Sequence, residues 1–163
     1  FQMGNRCTLA TKEDEILRQK LVETDLKFKQ VPALTDTQVI GFPLYTQDAS
    51  IVDRFGRRVK LAFVNWSGAH MCRHCVDGLE FRKLADICDE IKNKFGFNGV
   101  RLTFSLQMYY DNPIINDKYI IANPELKGKR AMDVFDIVVT TLTRAGLMVI
   151  LNNHVSSSMW CCS

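Results

Sequence analysis

From Val59 onward the apolar positions switch between two periods. Val59–Asn65 (VKLAFVN) is nearly apolar on both faces after Lys60, as in a strand covered on two sides. Leu84, Ile87, Cys88, Ile91 and Phe95 then recur at i, i+3, i+4, i+7 and i+11, one face of a helix, and Gly96 sits where a left-handed C-terminal cap belongs. Gly99–Phe104 (GVRLTF) reads as a second strand. Ala131, Val134, Phe135, Val138 and Leu142 repeat the helical spacing, Gly146 closes it, and Leu147–Leu151 (LMVIL) is a third strand, apolar throughout. Strand, helix, glycine, strand, twice over, predicts βαβ units and a parallel sheet.

The connections are unequal. Those from helix to strand are short and centred on a glycine. Those from strand to helix, Trp66–Asp77 and the polar Ser105–Lys129, exceed the ordinary loop of about 4–6 residues. The second carries Asn112-Pro113 and Asn123-Pro124 as turn signals. In α/β folds function gathers where strands end and helices begin. Asn65-Trp66, Tyr109-Tyr110, Asn152-Asn153-His154 and Trp160 fall in or beside those ends.

The stretch before Val59 carries less chemistry. Thr11 is placed to cap a helix over Lys12–Phe28, along which Leu17, Val22, Leu21, Leu26 and Phe28 form a loose apolar stripe. Pro32 and Pro43 break the regularity that follows. Residues 1–46 thus read as a peripheral helix and connector, set apart from the α/β pattern of 47–163. Ile51–Asp53, a turn through Arg54–Arg57 and Val59–Val64 predict a β-hairpin.

Composition narrows the function classes without choosing one. Of 163 residues 47% are hydrophobic and 24% charged, which is globular usage. A net charge of +3 with interleaved signs makes no case for nucleic acid or an anionic membrane surface as partner. No apolar run reaches the roughly 18 residues of a membrane span. No leader is visible after Phe1, and oligomeric state is not legible. Three parallel strands and a hairpin leave open edges, whereas a closed barrel takes eight strand–helix units and ~250 residues. The expectation is an incomplete (β/α)8 barrel whose isolated piece dissolves poorly.

Several residues invite a chemical reading beside a plain one. His154 ends the third strand, either facing a substrate or as a loop histidine with no chemistry. Arg101, inside an apolar strand, must be paired; it shares a face with Thr103, away from Val100 and Leu102, and is read as holding a carboxylate. His70, Cys72, His74 and Cys75 crowd four metal-type donors into six residues, too tightly to converge on one tetrahedron, so no metal is assigned. Cys161 and Cys162 are adjacent, and either could pair with Cys72 or Cys75 or stay a buried thiol. Trp66 lines a site or packs the core. Asn65-Trp66-Ser67 matches a glycosylation pattern, expected unused at the end of a core strand. No P-loop, GxGxxG or GxSxG is present, and no cofactor is called.

Four stretches carry a family resemblance. Ile51–Trp66 (IVDRFGRRVKLAFVNW), Phe97–Ser105 (FNGVRLTFS), Asn123–Asp136 (NPELKGKRAMDVFD) and Gly146–Ser163 (GLMVILNNHVSSSMWCCS) resemble, in order, the opening hairpin and "G-V-N-W" strand, the "G-F-N-x-V-R-L-P-F-S" strand, the following loop and helix, and the "V-I-L-x-N-H … W-C-C" segment of glycoside hydrolase family 5, the cellulase family. The resemblance implies that 47–163 is the N-terminal part of a glycoside hydrolase (β/α)8 TIM-barrel catalytic domain, with retaining hydrolysis of a β-glucan or related polysaccharide by two glutamates about 5–5.5 Å apart. It implies secretion too, since polymeric glycans lie outside cells. Arg101 matches the arginine that supports the nucleophile, and His154 the histidine that contacts sugar beside the cleaved bond. Asn65, Trp66 and Trp160 are further candidates for sugar contact. Neither catalytic glutamate is expected here, because none of Glu13, Glu15, Glu23, Glu80, Glu90 or Glu125 ends a strand and Asn123-Pro124-Glu125 is not the family's Asn-Glu-Pro. Three departures stand out: Thr103 replaces the motif's proline, Phe63 replaces the glycine before V-N-W, and the histidines and cysteines of His70–Cys75 are not part of the pattern. The alternative reading is a non-catalytic or degenerate carbohydrate-binding paralogue ending near residue 163.

Overall fold

A computed structural model describes residues 39–160 and, before them, Ile16 and Gln19, both helical. The helix expected over Lys12–Phe28 otherwise lies outside the described residues, as do Cys161 and Cys162. The chain forms two compact units, Phe1–Lys60 and Leu61–Ser163.

In the first unit β1 (Tyr45–Gln47) pairs antiparallel with β2 (Ser50–Val52), Tyr45 opposite Val52. This corrects the predicted hairpin. The expected turn at Arg54–Arg57 forms, but beyond it only one bridge, Val52 to Arg58, joins the two arms. Asp53 explains why. Its buried carboxylate accepts hydrogen bonds from the Phe55 and Arg57 amides, both 3.0 Å, and from Gly41 N at 3.2 Å. Arg57 Nη2 pairs with it at 2.5 Å. The chain curls around this group instead of extending.

The second unit holds a three-stranded parallel sheet, β3 (Phe63–Trp66), β4 (Gly99–Ser105) and β5 (Met148–Val155), in the order β3-β4-β5. Phe63 stands opposite Gly99, and a β-carbon on Gly99 would lie 2.3 Å from the Phe63 ring. The bulk introduced by Phe63 is therefore accommodated by its cross-strand partner. The third strand runs four residues past the predicted Leu151. Thr103 and Phe104 of β4 continue the register through Asn152 and Asn153, and ladder bonding is indifferent to side-chain polarity.

The first crossover, α1 (Leu84–Asp89), runs into a π-helical turn over Glu90–Lys94, with Phe95 N bonding Glu90 O at 3.0 Å. Bonds from i to i+5 underwind the helix. Phe95, predicted on the buried face, lags behind the α-helical register and is 61% exposed. The second crossover, α3 (Ala131–Arg144), follows α2 (Leu106–Asp111), which Ser105 caps by accepting from Met108 N at 3.1 Å. All five predicted apolar positions of α3 are buried.

The connection read as a polar loop is mostly exposed but sends four apolar side chains into the core. Met108, Ile115, Ile120 and Leu126 join Val100, Leu102, Val134, Val138 and Leu142 in one cluster. Asn123, fully buried, ties it to the first crossover: its amide donates to Leu79 O and Arg82 O at 2.8 and 2.9 Å and accepts from Leu84 N at 2.8 Å. Asn112, in the left-handed conformation tolerated by asparagine, ends α2 and accepts from Met132 N at the start of α3.

Candidate functional site

Strand alternation sorts the sheet into two faces. Val100 and Leu102 point to the helices, as does Phe104, whose ring meets Phe135 of α3 edge-on at 5.9 Å. Arg101, Thr103 and Ser105 therefore line the opposite face. Register puts Asn65 beside Arg101 on one side, and Ile150 and Asn152 beside Arg101 and Thr103 on the other. The ladder then slips. Phe104 pairs with Asn153 and Ser105 with Val155, so His154 is the extra residue of a bulge. A bulge re-aims the side chain it carries, and bulges recur beside functional sites.

Arg101 is half-buried and donates to Asn65 Oδ1 at 3.4 Å. The sequence expectation gave it a carboxylate. Among the described residues no carboxylate lies within ion-pair distance of it. Glu80 is taken by Arg73, and Glu90 by Arg82 and Lys94. Glu125 sits in a 3-10 turn away from any strand. Of the candidate sugar-contacting residues, Asn65 is exposed on this face. Trp66 is not: it is 8% exposed, within the core cluster, with its indole donating to Asp77 O at 2.9 Å. Of its two readings, core packing describes its position.

His154 and Trp160 converge on a residue that sequence reasoning had set among loop donors. His70 is 2% exposed. Its ring lies edge-on to His154 with centroids 4.8 Å apart, and 6.2 Å from Trp160. His70 Nδ1 is 2.8 Å from Thr103 Oγ1, which donates to Trp66 O at 3.2 Å. Nε2 of His70 is buried without a hydrogen-bond partner among the described residues. Burial first, and then the neighbouring His154, push the His70 pKa below its ordinary value, with Asp77 pulling the other way.

A second cluster extends the same end. Ser158 Oγ bridges Ser105 Oγ at 2.8 Å and His74 Nδ1 at 3.3 Å, and its amide donates to Gln107 Oε1. Burial lowers the His74 pKa, partly offset by Asp111. His70, Cys72, His74 and Cys75 are thus spent separately. Cys72 is exposed, Cys75 is a buried thiol, and no three metal-type donors converge among the described residues. Asn152 Nδ2, 3.2 Å from His154 Nδ1, completes the row.

Thr103 and His70 were the residues missed as a pair. Thr103 was legible as sharing a face with Arg101. Nothing in the spacing of 33 residues indicated that a loop histidine would reach it.

No family model matches the chain. Among curated proteins, a glycosyl hydrolase 5 family protein of Chamaecyparis obtusa is 38% identical over 140 residues, covering 76% of this chain and 25% of the relative. An endoglucanase of Paenibacillus polymyxa is 27% identical over 123 residues, covering 76% and 31%. Among solved structures, the catalytic domain of the major endoglucanase from Xanthomonas campestris pv. campestris superposes with a TM-score of 0.64 at 26% identity, over 71% of this chain and 33% of that one. A cellotetraose complex of an endocellulase from Pyrococcus horikoshii gives 0.62 at 24%, over 74% and 33%. The chain spans a quarter to a third of the length of these proteins. By sequence the chain is similar to a part of a glycosyl hydrolase 5 family protein and of an endoglucanase, and by fold to a part of an endoglucanase catalytic domain.

Proposed function

We propose that the chain supplies the opening hairpin and first three strand–helix units of an incomplete (β/α)8 barrel in a retaining glycoside hydrolase that cleaves β-linked glucan. In this reading it contributes a sugar-binding wall and neither catalytic carboxylate. The observation that carries it is the polar row that runs along three parallel strands toward their carboxyl ends: Asn65, Arg101, Thr103, Asn152 and the bulged His154. Strand carboxyl ends are where barrel enzymes hold substrate. The likeness to endoglucanases, one of them a cellotetraose complex, supports a glucan as the occupant.

Arg101 suits a supporting role because, among the described residues, its guanidinium contacts one amide and keeps donors for a carboxylate. His154 and the exposed Trp160 offer a donor and a ring face to a pyranose. Secretion fits a polymeric substrate and extends the same reading.

The test is titration of the chain with cellotetraose, followed by amide and side-chain NMR. Shifts confined to His154, Asn152, Trp160 and Arg101, with no hydrolysis, are expected. Turnover by this chain alone, or shifts elsewhere only, refutes the proposal. Arg101→Ala and His154→Ala each weaken binding by about tenfold, the worth of one good hydrogen bond.

A further inference from the structure

The buried pair His70–Thr103 lies outside the family pattern on both counts and carries a consequence for His154. Thr103 has one hydroxyl proton, and it goes to the Trp66 carbonyl. Thr103 Oγ1 can then only accept from His70, so Nδ1 of His70 carries the proton and Nε2 is a bare lone pair. The proline of the related motif could not make this relay, having no hydroxyl.

That lone pair is an unusual thing to bury. Native cores rarely leave an acceptor unpartnered, and an apolar ring of the same shape would avoid the loss. The two rings packed against His70 are the ones bearing an N–H, His154 and Trp160. At His154, Asn152 Nδ2 approaches Nδ1, and an amide nitrogen can only donate, so Nδ1 accepts and Nε2 carries the proton. A bare acceptor packed edge-on against this ring disfavours a second lone pair turned toward it, and because His70 Nε2 makes no hydrogen bond among the described residues, it does not consume the His154 N–H.

We propose that His70 is a positioning residue for His154: the relay Trp66 O–Thr103–His70 holds the His154 imidazole, together with Asn152, as an Nε2–H donor for a glucan oxygen. The site thereby presents a donor, and a sugar oxygen is recognised as acceptor. This rests on the sugar-site reading given above, although the tautomer itself does not. Protonating His70 would bury a cation against His154, so the relay works in its neutral form.

The test is long-range proton–nitrogen correlation of the histidine rings in the full chain, with and without cellotetraose. The expected spectrum has His70 protonated at Nδ1 and His154 at Nε2. In His70→Phe, which keeps a ring and loses the acceptor, His154 becomes a mixture of tautomers and cellotetraose affinity falls about tenfold. His70→Gln, whose amide oxygen can stand where Nε2 was, restores the His154 tautomer. An unchanged His154 tautomer and affinity in His70→Phe overturns the proposal. Should that variant not fold, Thr103→Val replaces it: it leaves His70 in place, frees its tautomer, and must shift His154 likewise. If the chain binds no cellotetraose at all, the sugar reading fails, and the tautomers still decide whether His70 positions His154.

Discussion

Cys72, Cys75 and Cys88 show how burial separates residues of one type. Cys72 is exposed, whereas burial pushes the Cys75 thiol to about 12 and Cys88 to about 11. The thiolate is the nucleophile, so alkylation at neutral pH is expected at Cys72 well before the other two. Peptide mapping after brief iodoacetamide treatment checks this; equal labelling of Cys75 would mean the loop opens. His70 and His74 make a second residue-scale prediction. Both titrate below their ordinary value because the fold desolvates them. Their neutral forms therefore contribute stability that is full above the unfolded value, roughly 6.5, and is lost as pH falls through the folded values. The groups facing them are His154 and Asp77 for His70, and Asp111 for His74. The melting temperature should drop from pH 7.5 to pH 5, and a flat profile would contradict the assignment. Asp53 acts in a separate window. The Arg57 side chain holds its carboxyl far below the usual range, so its contribution persists above about 3.8 and goes only in stronger acid.

Between elements, two contacts fix how strands and crossovers sit. Gly99→Ala would drive a methyl into the Phe63 ring, and overpacking of this kind costs about 1–3 kcal/mol. The double variant Phe63→Leu, Gly99→Ala should recover part of that loss in urea denaturation. No recovery would mean the ring is not the obstacle. Asn123→Ala strips three backbone groups of their partner in the core, at a cost on the order of 3 kcal/mol. Phe63 and Gly99 lay in stretches whose element type was legible: strands as runs apolar on both faces, helices from a period of 3.6. The π-turn at Glu90–Lys94 and the burial of Met108, Ile115, Ile120 and Leu126 within the Ser105–Lys129 connection were not, since neither leaves a periodic trace. Asn123 reads locally as a turn asparagine before proline, and only its partners across some 40 residues make it core.

At the level of the second unit, α3 leaves part of the sheet open. At β5 both faces are open: Ile150, on the face of Arg101, and Leu151, on the face of Leu102, are 47% and 58% exposed, and Met159 and Trp160 further along the chain are exposed too. A parallel strand presenting apolar side chains and an unpaired edge favours self-association. Sedimentation of the isolated chain should show concentration-dependent oligomers, and Leu151→Lys should reduce them; a monomer at all concentrations would contradict the open-edge reading.

Parallel βα order, the buried face of the second crossover and the place of Arg101 within the middle strand were determined by sequence alone, because period, glycine punctuation and strand alternation are local properties of the chain. The family resemblance rested on the same local stretches. Tertiary structure decided the rest. It placed Trp66 in the core, turned His154 out on a bulge, set Gly99 beneath Phe63 and brought His70 under His154 and onto Thr103. Each of these depends on which distant residues meet once strands take their register, and register is a property of the pair of strands, not of either one.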